Sequence, residues 1–313
     1  MSGAPLGYLT SAGAQAAAIT PLTWTLAIIS IAVCVIIATL LWWGIARNRD
    51  AERGKVTTRG TGMGWIRWGM ALSAIPLTVA LVWTMLVLAR TLGPPRDAGF
   101  AIDVTARQYW WDIRYTDAAG NAFDTANEIH IPTGIKVIVR LHGPDVIHSF
   151  WVPQLSGKTD VIPGQVNLAW LLADRPGRYR GQCAEFCGLE HAKMAFEVVA
   201  ETPAQFAAWR AAQATAASEP AAPDARRGLM LFTADCAQCH ALRGIDGKHG
   251  TGPDLTHLMS RRLLAAGAIE NNPGNLAGWI ADPQSIKPGA RMPAQPLTGP
   301  QLNDAVAYLE TLK

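Results

Sequence analysis

No aspartate, glutamate, lysine or arginine occurs between Met1 and Ala46, and Pro21–Ala46 is almost wholly apolar. At about 1.5 Å of rise per residue, such a run crosses a hydrocarbon layer about 30 Å thick. A second uncharged apolar run, Trp68–Leu88, follows it. Inside a bilayer no water is available to backbone amides and carbonyls, so each run is predicted to be a helix. A buried core helix or, for the first run, a signal peptide has similar hydropathy. The first run, however, has no basic segment before it and no clean small-residue cleavage site after it, so both are read as true spans, about 21–46 and 68–90.

Between the runs, residues 47–67 carry Arg47, Arg49, Arg53, Lys55, Arg59 and Arg67 against Asp50 and Glu52. Basic loops stay on the cytoplasmic face. Both termini and everything beyond Arg90 are therefore expected on the outer side, the periplasm of a bacterium whose inner membrane holds the hairpin. The net charge of +3 sits mostly in this loop, so lipid is the implied partner and nucleic acid is not.

After "LGPPRD" (92–97) the pattern changes to short β-branched and aromatic runs broken by Gly, Pro, Asn and Asp: "AIDVTARQYWWDIRYT", "NEIHIPTGIKVIVRLHG", "VIHSFWVP", "GQVNLAWLLAD" and "AFEVVAE". These predict a sandwich or Greek-key barrel over 97–200. Residues 201–222 are rich in alanine and read as a short helix running into a linker, and 223–313 read as a small helical domain. Leu302, Val306, Leu309 and Leu312 recur there at helical spacing behind Thr298, a candidate N-cap.

In an oxidising compartment Cys183, Cys187, Cys236 and Cys239 would ordinarily pair as two disulfides; Cys34, within the first span, reads as an apolar filler. The neighbours of the four point instead to metal chemistry. "GQCAEFCGLEHAKM" (181–194) sets Cys183, Cys187, His191 and Met194 in one loop. Zinc favours thiolate and imidazole and rarely takes a thioether, whereas thiolates with imidazole and thioether suit copper. Two thiolates four residues apart can bridge two coppers. A further imidazole is then needed from upstream, where His130, His142 and His148 are available; His148, in "DVIHSFWVP", is the favoured one.

"CAQCH" (236–240) is the attachment signature of a c-type haem, with Cys236 and Cys239 as thioether anchors and His240 as proximal ligand. The distal ligand is sought among Met230, Met259 and Met292. Met292 is favoured for its place in "PGARMPAQPL", a Met-Pro loop just before the last helical run that resembles class I cytochrome c, and Met/His ligation would raise the haem potential. Met230 and Met259 read as core packing.

"DVIHSFWVPQLSGKTDVIPG" together with "GQCAEFCGLEHAKM" resembles subunit II of the haem–copper cytochrome c oxidases, over roughly residues 20–200. "CAQCH" with its surroundings resembles class I cytochrome c, and the fusion resembles the caa-type oxidases. The resemblance implies a two-helix transmembrane hairpin, an all-β cupredoxin-like domain and an all-α cytochrome c domain. It implies a binuclear copper centre, Cu(A), held by His148, Cys183, Cys187, His191, Met194 and the carbonyl of Glu185, with the Glu185 carboxylate facing a magnesium ion at the boundary with subunit I. It also implies electron relay from haem c to Cu(A) and on to a haem–copper oxygen-reducing site in subunit I, coupled to proton translocation. Subunit III and an upstream donor, a bc-type complex or a soluble cytochrome c, are the other implied partners. A Cu(A) subunit of a nitric oxide reductase and a free-standing membrane-anchored carrier remain as alternatives. Two departures stand out. The family's Gln-Trp-x-Trp run reads Gln108-Tyr109-Trp110-Trp111, and no acidic residue lies between Arg53 and Arg96, where mitochondrial-type members carry a glutamate at the mouth of a proton path.

Overall fold

The computed structural model describes residues 6–46, 63–91, 93–245 and 250–313. Most of the basic loop, 47–62, therefore lies outside the described residues. The chain divides into two units. One holds most of the two long helices, and the other holds the β-rich and C-terminal helical parts together with the described residues up to Ala16.

The long helices are α1 (Ala14–Ala46) and α2 (Met63–Thr91). Both exceed the expected spans, because uncharged or good helix-forming residues flank each apolar run. Their apolar side chains are exposed on every side, Ile28, Leu41, Leu72 and Leu77 among them. A helix that is apolar all round needs an apolar surrounding.

Ten strands make the β-rich part: β1 (Phe100–Arg107), β2 (Trp110–Thr116), β3 (Ala122–Ala126), β4 (Glu128–Pro132), β5 (Val137–His142), β6 (His148–Trp151), β7 (Thr159–Val161), β8 (Asn167–Leu171), β9 (Gly177–Cys183) and β10 (Ala195–Glu201). One sheet runs β3-β2-β1-β5-β8, the other β4-β10-β9-β6-β7. Pairing is antiparallel except β1 with β5 and β4 with β10. The period-two pattern of "FAIDVTAR" buries Ile102, Val104 and Ala106 between the sheets. Trp111, Phe150 and Phe196 pack there with ring centres 4.8–5.7 Å apart. The N-terminal residues join this domain: Ala12 donates to Gln154 O, Asp174 donates to Ala12 O, and Gln15 Nε2 donates to Trp170 O.

Residues 201–222 differ from a plain linker. Helix α3 (Pro203–Gln213) starts at a capping box formed by Thr202 and Gln205, and it sets Phe206 and Trp209 against the β-domain core. Beyond it Gln213 O accepts from Arg243, and Ala217 N donates to Arg243 O, which ties the stretch to the C-terminal domain.

That domain contains α4 (Pro223–Leu231), a two-residue ladder of β11 (Leu263–Leu264) with β12 (Ile269–Glu270), then α5 (Pro273–Ala281), α6 (Pro283–Ile286) and α7 (Gly299–Leu309). The ladder is a small addition to an otherwise helical domain. Helices α4 and α7 cross closely at Gly228, where a Cβ would lie 2.0 Å from Asp304 O. Arg227 and Asp304 pair at the outer edge of this crossing. Met230 is 64% exposed rather than packed in the core, because α4 turns Ala225 and Gly228 inward and Met230 away. Met259 does pack against the core.

Candidate copper centre and haem cavity

Strand pairing brings the donors of the first site together. Cys183 ends β9, the loop 184–194 returns to β10, and β6 begins at His148 beside β9, with Phe150 opposite Cys183. Cys183 N donates to Met194 O and Ala184 N donates to Ser149 O, so the base of the loop is closed. His148, Cys183 and Cys187 each offer a donor atom within 4.8 Å of the others. Cys183 Sγ lies 3.8 Å from Cys187 Sγ, 3.8 Å from His148 Nδ1 and 3.2 Å from Glu185 O. Cys187 Sγ lies 3.7 Å from His191 Nδ1 and 3.8 Å from Met194 Sδ. Two sulfurs thus sit at the centre of two imidazoles, a thioether and a carbonyl. His130 and His142, the other upstream candidates, lie elsewhere: His130 bonds Glu128 and Glu201, and His142 bonds Asp103.

The electrostatics suit a cation. The hydrogen bond between the two sulfurs leaves one proton for the pair, so Cys183 ionises far below its ordinary range while Cys187 is pushed up. One proton is shared by the pair, and a second thiolate forms only when a cation takes its place. Burial works against a charged His148, but hydrogen bonds with Cys183 and Asp145 outweigh it and hold its pKa above the ordinary value. Asp145 Oδ1 meets His148 Nε2 at 2.9 Å and so leaves Nδ1 for the site. The thioether and the paired soft sulfurs fit copper better than zinc.

The second site is a cavity of about 450 Å³ lined by Cys236, Cys239, His240 and Met292 with apolar side chains of the C-terminal domain. His240 Nδ1 lies 2.9 Å from Pro253 O, and burial lowers the pKa of the ring. A neutral imidazole donating from Nδ1 has Nε2 free for iron. Gly252 hugs this ring, since a Cβ there would come within 2.7 Å of His240 Cε1. Arg261 is buried in the wall with its Nε unpartnered, as a cation awaiting an anionic group would be. Residues and cavity fit a haem with acidic side groups.

The favoured donors His148, Cys183, Cys187, His191, Met194 and the Glu185 carbonyl meet in the first place, and Cys236, Cys239, His240 and Met292 meet in the second; the Glu185 carboxylate is exposed. Sequence reasoning missed Asp145, Lys287 and the contact that Gln108 makes. Asp145, which holds His148, is an ordinary loop acid in sequence. Gln108 Nε2 donates to Cys187 O, and Lys287 Nζ donates to Tyr109 O. The partners in these last two bonds are 79 and 178 positions apart, so no local spacing signals them. The aromatic run also divides: Trp111 is core, while Tyr109 and Trp110 line the haem cavity.

A family model described as cytochrome c oxidase subunit II, periplasmic domain, matches residues 119–201, and one for cytochrome c matches 225–313. Cytochrome c oxidase subunit 2 of Bacillus subtilis (strain 168) is 31% identical over 300 residues, covering 88% of this chain and 82% of that protein. The protein of that name from Alkalihalophilus pseudofirmus is 41% identical over 214 residues, 68% of this chain. The chain spans about three fifths of the length of this second relative, 61%. The crystal structure of the periplasmic domain of subunit II of cytochrome oxidase from Bradyrhizobium japonicum is 31% identical, covering 39% of this chain and 96% of that one at a TM-score of 0.36, a likeness too loose to add to the fold.

Proposed function

The chain belongs to the cytochrome c oxidase subunit 2 family, and from that premise we propose that it receives electrons for a membrane-bound terminal oxidase. It takes them at a haem c in its C-terminal domain and delivers them through a Cu(A) pair to an oxygen-reducing subunit I, with proton translocation in the assembled complex. The observation that carries this reading is the convergence of His148, Cys183, Glu185 O, Cys187, His191 and Met194 in a chain that also holds a Cys-x-x-Cys-His cavity.

Copper held by these six groups would supply a one-electron carrier, with the two thiolates sharing the charge change. A haem held through Cys236 and Cys239, with His240 and Met292 to hold its iron, would supply a second. The chain's own residues keep both donor sets in place. Asp145 and Pro253 O fix the two imidazole orientations, and Trp111, Phe150 and Phe196 keep water from behind the copper loop. Rigid ligands favour fast electron transfer because little has to move when the charge changes. The exposed Glu185 carboxylate suits a magnesium ion at the boundary with subunit I, where the partner supplies the remaining donors.

Orientation follows the basic loop. Hydrogen bonds from Ala12 and Gln15 to the β-domain support the reading that this segment lies on the same side as the redox domains. Metal analysis with optical and paramagnetic resonance spectra of the full chain tests the assignment. Two coppers and one haem per chain, with an unpaired electron shared between two copper nuclei, are expected. Zinc, or a single copper, would sink it. Copurification with an oxygen-consuming complex distinguishes an oxidase subunit from a lone carrier.

A further inference from the structure

Gln108 occupies an unusual place. Its backbone N–H donates to Asp145 Oδ2 at 2.7 Å, and the other oxygen of Asp145 holds His148. Its side-chain Nε2 donates to Cys187 O at 2.8 Å. Its side-chain Oε1 accepts from Arg291 Nη2 at 3.0 Å, and Arg291 precedes Met292. One side chain therefore touches the copper loop on one side and the haem-ligand loop on the other, while its backbone reaches the support of a second copper ligand. Gln108 also lines the haem cavity.

The neighbouring contacts keep this bridge in register. Lys287 reaches across from the C-terminal domain to Tyr109 O at 2.7 Å. Lys193 Nζ donates back to Ile286 O at 2.9 Å, and Arg262 Nε donates to Glu197 at 3.1 Å. Gly188 in the copper loop has φ of +124°, and a Cβ there would fall 2.5 Å from Tyr109 Oη and 3.2 Å from Gln108 Nε2. A side chain at 188 would push the Gln108–Tyr109 segment off the loop.

From this geometry we infer that Gln108 is the positioning residue that couples the two redox centres, its amide forming the hydrogen-bonded link between the haem-ligand loop and the Cys187 carbonyl. The inference rests on the two centres proposed above. In the step concerned one electron moves: ferrous haem is oxidised, the copper pair is reduced by one electron, and no proton or bond is exchanged. Hydrogen bonds and covalent bonds carry electronic coupling better than gaps, and the Arg291–Gln108–Cys187 series leaves no gap between the loops. Tyr109 Oη accepts from Leu189 N and steadies the loop from the side.

Two substitutions in the full chain separate coupling from docking. Gln108→Leu removes both side-chain bonds. Gln108→Glu keeps an acceptor for Arg291 but loses the donor to Cys187 O. Three readouts are needed: copper content and resonance spectrum, hydrogen exchange over 286–292 in the metal-free and loaded protein as a measure of docking, and the rate of haem-to-copper electron transfer after flash reduction, at potentials measured for each variant. Both variants are expected to keep copper and haem, Gln108→Glu is expected to keep wild-type exchange, and both are expected to lose about tenfold in rate at matched driving force, the low end of what removal of an outer-shell partner costs. An unchanged rate, full recovery in Gln108→Glu, a loss explained by shifted potentials, or a loss that tracks undocking would overturn the inference. Absence of copper or haem from the wild-type chain would instead overturn the function on which it rests.

Discussion

Met194 is the donor whose chemistry separates copper from zinc. It is fully buried, with its sulfur 3.8 Å from Cys187 Sγ. Leucine has nearly the same volume, so Met194→Leu is expected to cost less than about 1.5 kcal/mol of stability. Copper stays bound by the thiolates and imidazoles while its potential shifts, which copper stoichiometry and a redox titration would show. Loss of copper from a folded variant would mean that the thioether is a principal ligand. Gly252 plays a matching part beside the haem. Gly252→Ala places a methyl group 2.7 Å from His240 Cε1 and 3.2 Å from Cys239 O. The ring has to move off Pro253 O, so a haem still attached through its thioethers is expected to show a changed axial-ligand spectrum, with stability reduced by about 1–3 kcal/mol. An unaltered spectrum would show that the ring is not held where the fold places it.

At the scale of elements, α3 shows how the β-domain is completed. Trp209 stacks on His130 with ring centres 4.0 Å apart, and His130 meets Glu128 at 2.8 Å and Glu201 at 3.2 Å. Burial opposes charge on His130, but both carboxylates outweigh it and raise its pKa above 6.5. Burial likewise disfavours the Glu128 carboxylate, yet His130 and Arg178 hold its pKa below 4.5. The His130 contribution is full below 6.5 and fades as pH rises through the raised value; that of Glu128 is full above 4.5 and fades as pH falls through the lowered one. Lys287 acts in the opposite sense: burial pushes it to about 7 from 10.5, so it adds stability as pH rises between those values. The quantity to compare is therefore the Tm of wild type minus that of His130→Gln. This difference is expected to be largest between pH 4.5 and 6.5 and to shrink in alkali; a difference that grows with pH would contradict the charged cluster. The strands were legible because alternation marks a half-buried sheet whatever covers it. Helix α3 was not assigned to the core, because Phe206 and Trp209 sit in an alanine-rich stretch whose composition matches a linker. What they cover is set by β3 and β4, far back in the chain.

For the whole molecule, the local motifs were readable and their junction was not. "GQCAEFCGLEHAKM" and "CAQCH" compress most donors into two short segments, so chemistry and spacing sufficed to find them. The seating of the C-terminal domain on the copper loop depends on single bonds such as Ala195 N to Ala266 O, Lys287 to Tyr109 O and Arg291 to Gln108, each joining residues with no sequence relation. A tether alone raises the local concentration of donor at acceptor; these bonds in addition select one orientation, with the haem cavity open to Tyr109 and Trp110. The proposed relay has a direct test in the assembled oxidase carrying Cys183→Ser and Cys187→Ser together. Serine hydroxyls do not ionise near neutral pH as thiols do, so copper is lost while Cys236, Cys239 and His240 still hold haem. After mixing with reductant and oxygen, stopped-flow absorbance should show haem c reduced at the wild-type rate and then remaining reduced, with no oxygen consumed. Reoxidation of haem c at the wild-type rate would show that electrons bypass the copper loop and would contradict the account.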